Sequence, residues 1–139
     1  MQAVAVVRKL NKGDQVLVSN EYGNLRDSSS EMFTQFNGIL LEDSEIIFNA
    51  ERDTNVNTAR TITYSSCDVN HGNGMSASGG IFTAPVTGTY FFHVQGVSDH
   101  NSRDMLYLNL YHEGIRAASS YVKFVSNMSK GLFPTVSAF

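Results

Sequence analysis

Cysteine is almost missing from this chain, occurring once as Cys67. That excludes an internal disulfide framework and any cysteine-cage zinc site within one protomer, and the expected state of the lone thiol is free and buried, as a small hydrophobe. Basic charge is also scarce. Ten Lys and Arg against thirteen Asp and Glu leave a net charge of -3, so no basic field exists to neutralise phosphates and nucleic acid is excluded as a partner. The one basic pair, Arg8 and Lys9, reads as a solvated strand end. Long apolar runs are lacking too: AVAVV at 3–7 and GILL at 38–41 fall far short of the roughly 20 residues that cross a bilayer, which excludes membrane insertion by a helix. A charged start followed by an apolar stretch is also lacking, so no signal peptide is read. Finally, no window sustains a 3.6-residue apolar period.

What the sequence has is short apolar alternation punctuated by Gly, Asn, Ser and Asp, the pattern of an all-β chain. With 42% hydrophobic and 11% aromatic residues over 139 positions, a single domain spanning 1–139 is expected. In 104–114, Leu106, Leu108 and Leu110 share one face and Tyr107, Asn109 and Tyr111 the other, as in a half-buried strand. The segments 88–96, 3–7 and 36–41 are apolar on both faces, which implies that a second copy covers the outer one. Turn chemistry places a turn at 11–14, a longer polar loop at 21–30, a hairpin-length connection at 42–44 between antiparallel neighbours, and a Gly, Ser and Asn-rich loop at 70–80.

The block 80–92, GIFTAPVTGTYFF, fits G-x-F-x-x-P-x-x-G-x-Y-x-F at Gly80, Phe82, Pro85, Gly88, Tyr90 and Phe92. This pattern resembles the most diagnostic block of the globular C1q domain family. Pro85 and Gly88 shape a bend, and Phe82, Tyr90 and Phe92 are expected in one core. Three shorter blocks carry the resemblance further: Phe48-Asn49-Ala50, Leu10 to Val16 around Gly13-Asp14, and Phe36 to Leu41. Their order departs from the family, in which the last two close the domain. Reading 44–139 and then 2–41 restores the family order, so the expected architecture is a two-sheet jelly-roll sandwich in circularly permuted form. A cut across two tandem domains is the rival account.

The resemblance implies the superfamily of complement and tumour necrosis factor domains, a compact homotrimer and a secreted, non-enzymatic role. The expected interface residues are Val7, Ile39, Leu41 and Phe91. Ligand-contacting tips are expected at Tyr22, Asn24 and Arg26 and at Asp99, His100, Asn101 and Arg103, since rigid sandwiches bind through their end loops; a carbohydrate or a protein is the ligand class. Asn127 heads a glycosylation sequon. Several family members hold calcium near the trimer apex, but 117–139 contains no Asp or Glu, so that site is expected to be missing, no metal or cofactor is assigned, and calcium elsewhere rests only on Asp99, Asp104 or Asp27. Gly72 to Ala77 fits GxGxxA without a βαβ context and reads as a turn; no hydrolase elbow is present around Ser76 or Ser78. The three functions that follow are a lectin-like or innate-immune recognition module, a receptor-engaging ligand, and a trimerising head.

Overall fold

The computed structural model describes residues 2–42, 45–97, 105–123 and 135–138. They form twelve strands: β1 (Gln2–Leu10), β2 (Gln15–Tyr22), β3 (Thr34–Leu40), β4 (Ile47–Arg52), β5 (Arg60–Thr61), β6 (Ser66–His71), β7 (Met75–Ser76), β8 (Ile81–Thr83), β9 (Gly88–Gly96), β10 (Met105–His112), β11 (Ile115–Lys123) and β12 (Thr135–Ala138). Among the described residues there is no helix. One sheet has five strands in the order β1-β9-β3-β4-β6, the other seven in the order β12-β11-β10-β2-β8-β7, with β5 alongside β2. Every pairing is antiparallel. The fold is therefore the jelly-roll sandwich that the sequence blocks imply.

Period-two alternation sends alternate residues of each central strand into the core. Phe36, Phe48, Tyr90 and Phe92 come from the five-stranded sheet and Phe82 from the seven-stranded one, each at most 2% exposed. Phe82 locks the layers together, its ring centroid 4.8 Å from that of Phe48 and 5.6 Å from that of Phe92. Opposite them lie Leu106, Leu108 and Leu110 of β10. Two glycines are needed where rings or backbone come close. At Gly38 a Cβ would stand 2.3 Å from the Phe48 ring, and at Gly80, with φ +73°, it would stand 2.1 Å from the Ile62 carbonyl oxygen. The bend after β8 is pinned by the Tyr90 hydroxyl, which donates to the Val86 carbonyl at 2.7 Å.

The hairpin of β3 and β4 is as expected, closed by Leu40 N–H donating to Ile46 O at 2.9 Å, although β4 begins at Ile47 rather than Glu45. Five expectations need correction. The polar loop at 21–30 is part strand, because β2 runs to Tyr22, and then turns inward to bury Leu25 completely and Asp27 to 8% exposure. The loop at 70–80 contains a short hairpin strand, β7, whose Met75 is anchored by both side-chain ends of Asn70 at 2.9 and 3.1 Å. Cys67 is half-buried, since β6 is an edge strand that covers only part of its side chain; desolvation raises its thiol pKa. Asn109 is buried on the outer face, where Ser119 Oγ donates to its Oδ1. Arg8, lastly, points inward, because alternation from the buried Val4 and Leu10 puts even positions of β1 inside.

Candidate functional site

The outer face of the five-stranded sheet has two ends of opposite chemistry. The strand register sets Val7, Phe91, Ile39 and Ile47 side by side across four strands. Val7 is 54% and Phe91 37% exposed, Ile39 and Ile47 are half-buried, and Leu41 just beyond β3 is 55% exposed. Ile39, Ile47, Val69 and Phe91 line a shallow depression of about 300 Å³ that Asn37 and Asn49 close on the polar side. One row further along the strands the sheet presents His93, Asn37 and Asn49, tied by Asn37 Nδ2 donating to Asn49 Oδ1 at 3.1 Å and Asn49 Nδ2 donating to Glu51 Oε1 at 3.0 Å. Of the segments expected to be apolar on both faces, 3–7 is so throughout, with Ala3, Ala5 and Val7 on the exposed side, whereas 36–41 and 88–96 are so only at this one end. The amide row was not foreseen; its signal is the odd-position set Asn37, Asn49, His93 and Gln95.

A second concavity lies at the end of the seven-stranded sheet. Residues 21–24 and 57–59 enclose about 290 Å³. Asn20, fully buried beneath them, donates from Nδ2 to Gly23 O at 2.8 Å and Thr58 O at 3.3 Å. Leu25 and Val56 exchange backbone hydrogen bonds at 2.9 and 3.0 Å, so both walls are fixed to one floor. Tyr22 is 45% exposed at the rim. The Tyr111 hydroxyl donates to Glu21 Oε1 at 2.8 Å, and that bond raises the phenol's pKa. The structure thus brings Tyr22 and Asn24 together in one groove but leaves Arg26 exposed outside its lining. Asn57 and Thr58 were missed, because nothing in sequence spacing joins them to Tyr22. Arg26 N–H donates to Val97 O at 2.8 Å, and the other expected tip, Asp99, His100, Asn101 and Arg103, lies outside the described residues, as does Asn127.

Polar groups elsewhere do structural work. Asp27 accepts from Thr34 N–H at 2.8 Å and from Thr34 Oγ1, and burial raises its carboxyl above the ordinary carboxylate range. Arg52, 8% exposed, donates to the carbonyls of Thr54, Asn55 and Thr63 at 2.7, 3.2 and 2.8 Å; desolvation lowers its pKa. Where the sheets meet, Arg8 Nη2 lies 3.2 Å from His112 Nδ1, and His112 Nε2 lies 2.9 Å from Asp14 Oδ2. An arginine can only donate, so Nδ1 accepts and the imidazole proton sits on Nε2, donating to Asp14. That bond holds the Asp14 carboxyl below its usual range. Among the described residues no group of three or more His, Cys, Asp or Glu side chains could hold a metal ion.

A jelly-roll sandwich with an exposed apolar end on one sheet and a small groove at the end of the other defines a recognition and assembly domain. The chain belongs to the C1q domain family, whose model matches residues 47–137. Domains of this family are generally non-enzymatic, extracellular, trimeric and bound to protein or carbohydrate ligands. No curated protein and no solved structure matches the chain significantly. No helix among the described residues is long and apolar enough to cross a membrane.

Proposed function

We propose that this protein is a homotrimeric, secreted recognition module of lectin-like type that binds glycans on microbial or host surfaces, without enzymatic activity. The observation that carries the reading is the apolar row Val7, Phe91, Ile39 and Ile47 on the outer face of the five-stranded sheet, contiguous apolar surface of the kind that marks an association site. Three copies meeting through this face give avidity to a weak protomer site. The His112 and Asp14 pair does not argue for hydrolytic chemistry: its other ring nitrogen is engaged by Arg8, a cation rather than a nucleophile. Static light scattering at micromolar concentration should report three times the protomer mass; a monomer sinks the assembly. Silence of that trimer across a broad glycan and bacterial-envelope array sinks the lectin-like role.

The same reading takes the chain order as a circular permutation. Support comes from the family match, which starts at residue 47, and from β1, β2 and β3, which interleave with the matched strands in both sheets. A reordered chain running 44–139 and then 2–41 should fold with the same far-UV circular dichroism and amide spectrum. Failure of that chain to fold overturns the permutation.

A further inference from the structure

We infer that the groove between residues 21–24 and 57–59 is a binding site for one neutral saccharide ring, with Tyr22 as its stacking platform. This rests on the recognition reading and names the site and the ligand class within it. The volume, about 290 Å³, is at the small end of ligand sites and suits a single pyranose better than a larger ligand.

The lining fits the chemistry of a sugar. A pyranose presents C–H groups on its faces and hydroxyls around its rim. Tyr22, 45% exposed, offers an aromatic face whose negative quadrupole attracts the C–H face. The amides of Asn24 and Asn57 each supply donors and acceptors, and the Thr58 hydroxyl does both, which matches hydroxyls that themselves donate and accept. Glu21 is a strong acceptor held in place by the Tyr111 hydroxyl at 2.8 Å. The lining contains no Lys or Arg and one carboxylate, so a sialic or uronic acid would meet repulsion without a counter-charge, and the preference is for uncharged rings.

The groove is also set before binding. Asn20 ties Gly23 O to Thr58 O, and the Leu25 and Val56 bridge fixes both walls, so little loop entropy is lost when a ligand enters. It belongs to the seven-stranded sheet, while the apolar row lies on the five-stranded one. Assembly through the row therefore leaves every groove open, and three weak sites act together on a clustered glycan.

The test is amide chemical-shift mapping of the full chain with methyl glycosides of glucose, galactose, mannose and N-acetylglucosamine, and with sialic acid methyl glycoside. At least one neutral glycoside should shift Tyr22–Asn24 and Asn57–Ala59 saturably, and Tyr22→Ala should weaken that binding about tenfold or more, equivalent to about 1.4 kcal/mol. Asn57→Ala, at an exposed position, guards against a folding defect and should weaken it as well. Binding of the trimer to arrayed glycans that neither variant reduces overturns the groove while sparing the recognition role. Stronger shifts with the sialoside, or no saturable shift with any neutral glycoside, overturn it outright.

Discussion

Replacing Leu25 with alanine asks whether the segment after β2 is packed into the sandwich. Leu25 is 0% exposed, and a Cβ added at Gly96 would stand 2.7 Å from its Cδ2. The cavity left by alanine lies against Gly96, which has no side chain to fill it, so a cost of about 2–5 kcal/mol is expected. With a urea slope of about 1.5 kcal/mol per molar, the midpoint falls by about 1–3 M. Ile115, 69% exposed, provides the comparison: Ile115→Ala should change stability by no more than about 0.5 kcal/mol. Tyrosine fluorescence can follow the titration, since the chain lacks tryptophan, at one fixed protomer concentration because assembly adds to apparent stability. Equal midpoints for the two variants would refute the packed segment. They would also remove the fixed floor on which the groove depends.

Three other perturbations follow from the same packing. Phe91 at 37% exposure presents about 75 Å² of a roughly 200 Å² side chain, worth about 2 kcal/mol per copy when covered; Phe91→Asp adds carboxylate desolvation and should give monomers in sedimentation velocity, whereas an undiminished trimer contradicts this interface. Burial raises the Asp27 pKa, so the folded state holds that proton more tightly, and the resulting stability is full below the ordinary carboxylate pKa and lost as pH rises through the folded value. Asp27→Asn keeps an acceptor for the Thr34 N–H and should gain on wild type as pH climbs from about 4; parallel pH profiles of the urea midpoint would contradict it. Gly80→Ala should prevent folding, because its Cβ would meet the Ile62 carbonyl at 2.1 Å, while Gly114→Ala, with φ +75° and open space, should cost about 1–2 kcal/mol; similar melting temperatures for the two would refute the clash.

The central strands were legible in the sequence because core-accepting residues recur at alternate positions along them, whereas β5 and β7, two residues each, are too short to show a period. Leu106, Leu108 and Leu110 declare the inner face of β10, and the six fixed positions from Gly80 to Phe92 declare a bend with three rings inside. The segment after Tyr22 was not legible, since one leucine among Gly, Asn, Arg, Asp and Ser shows no period, and only tertiary contact with Val56 and Gly96 makes it core. Half of the groove was readable: Tyr22 and Asn24 sit two residues apart in the chain, whereas Asn57 and Thr58 arrive through the Leu25 bridge and the pairing of β5 with β2. Arg8 was misread because a basic pair looks alike whichever member faces in; the alternation of Val4, Val6 and Leu10 is the signal that decides it.

That inward arginine bears on how copies can associate. β1 is an edge strand, paired only with β9, and a bare edge invites strand addition by a second chain. Inward-pointing charge is one of the devices that blunt such an edge, and here the guanidinium is tethered across the sandwich to His112, which is itself tied to Asp14. A strand adding beside β1 in the usual register would have to pack its own side chains against this half-buried charge. The outer apolar row carries no such obstacle, so association through the face is favoured over association through the edge. Arg8→Met keeps the apolar stem but removes both the charge and the tether. The variant should keep its β-rich circular dichroism yet form species larger than a trimer in light scattering, increasingly so with concentration. A strictly trimeric Arg8→Met protein over that range would show that the arginine serves only to join the two sheets.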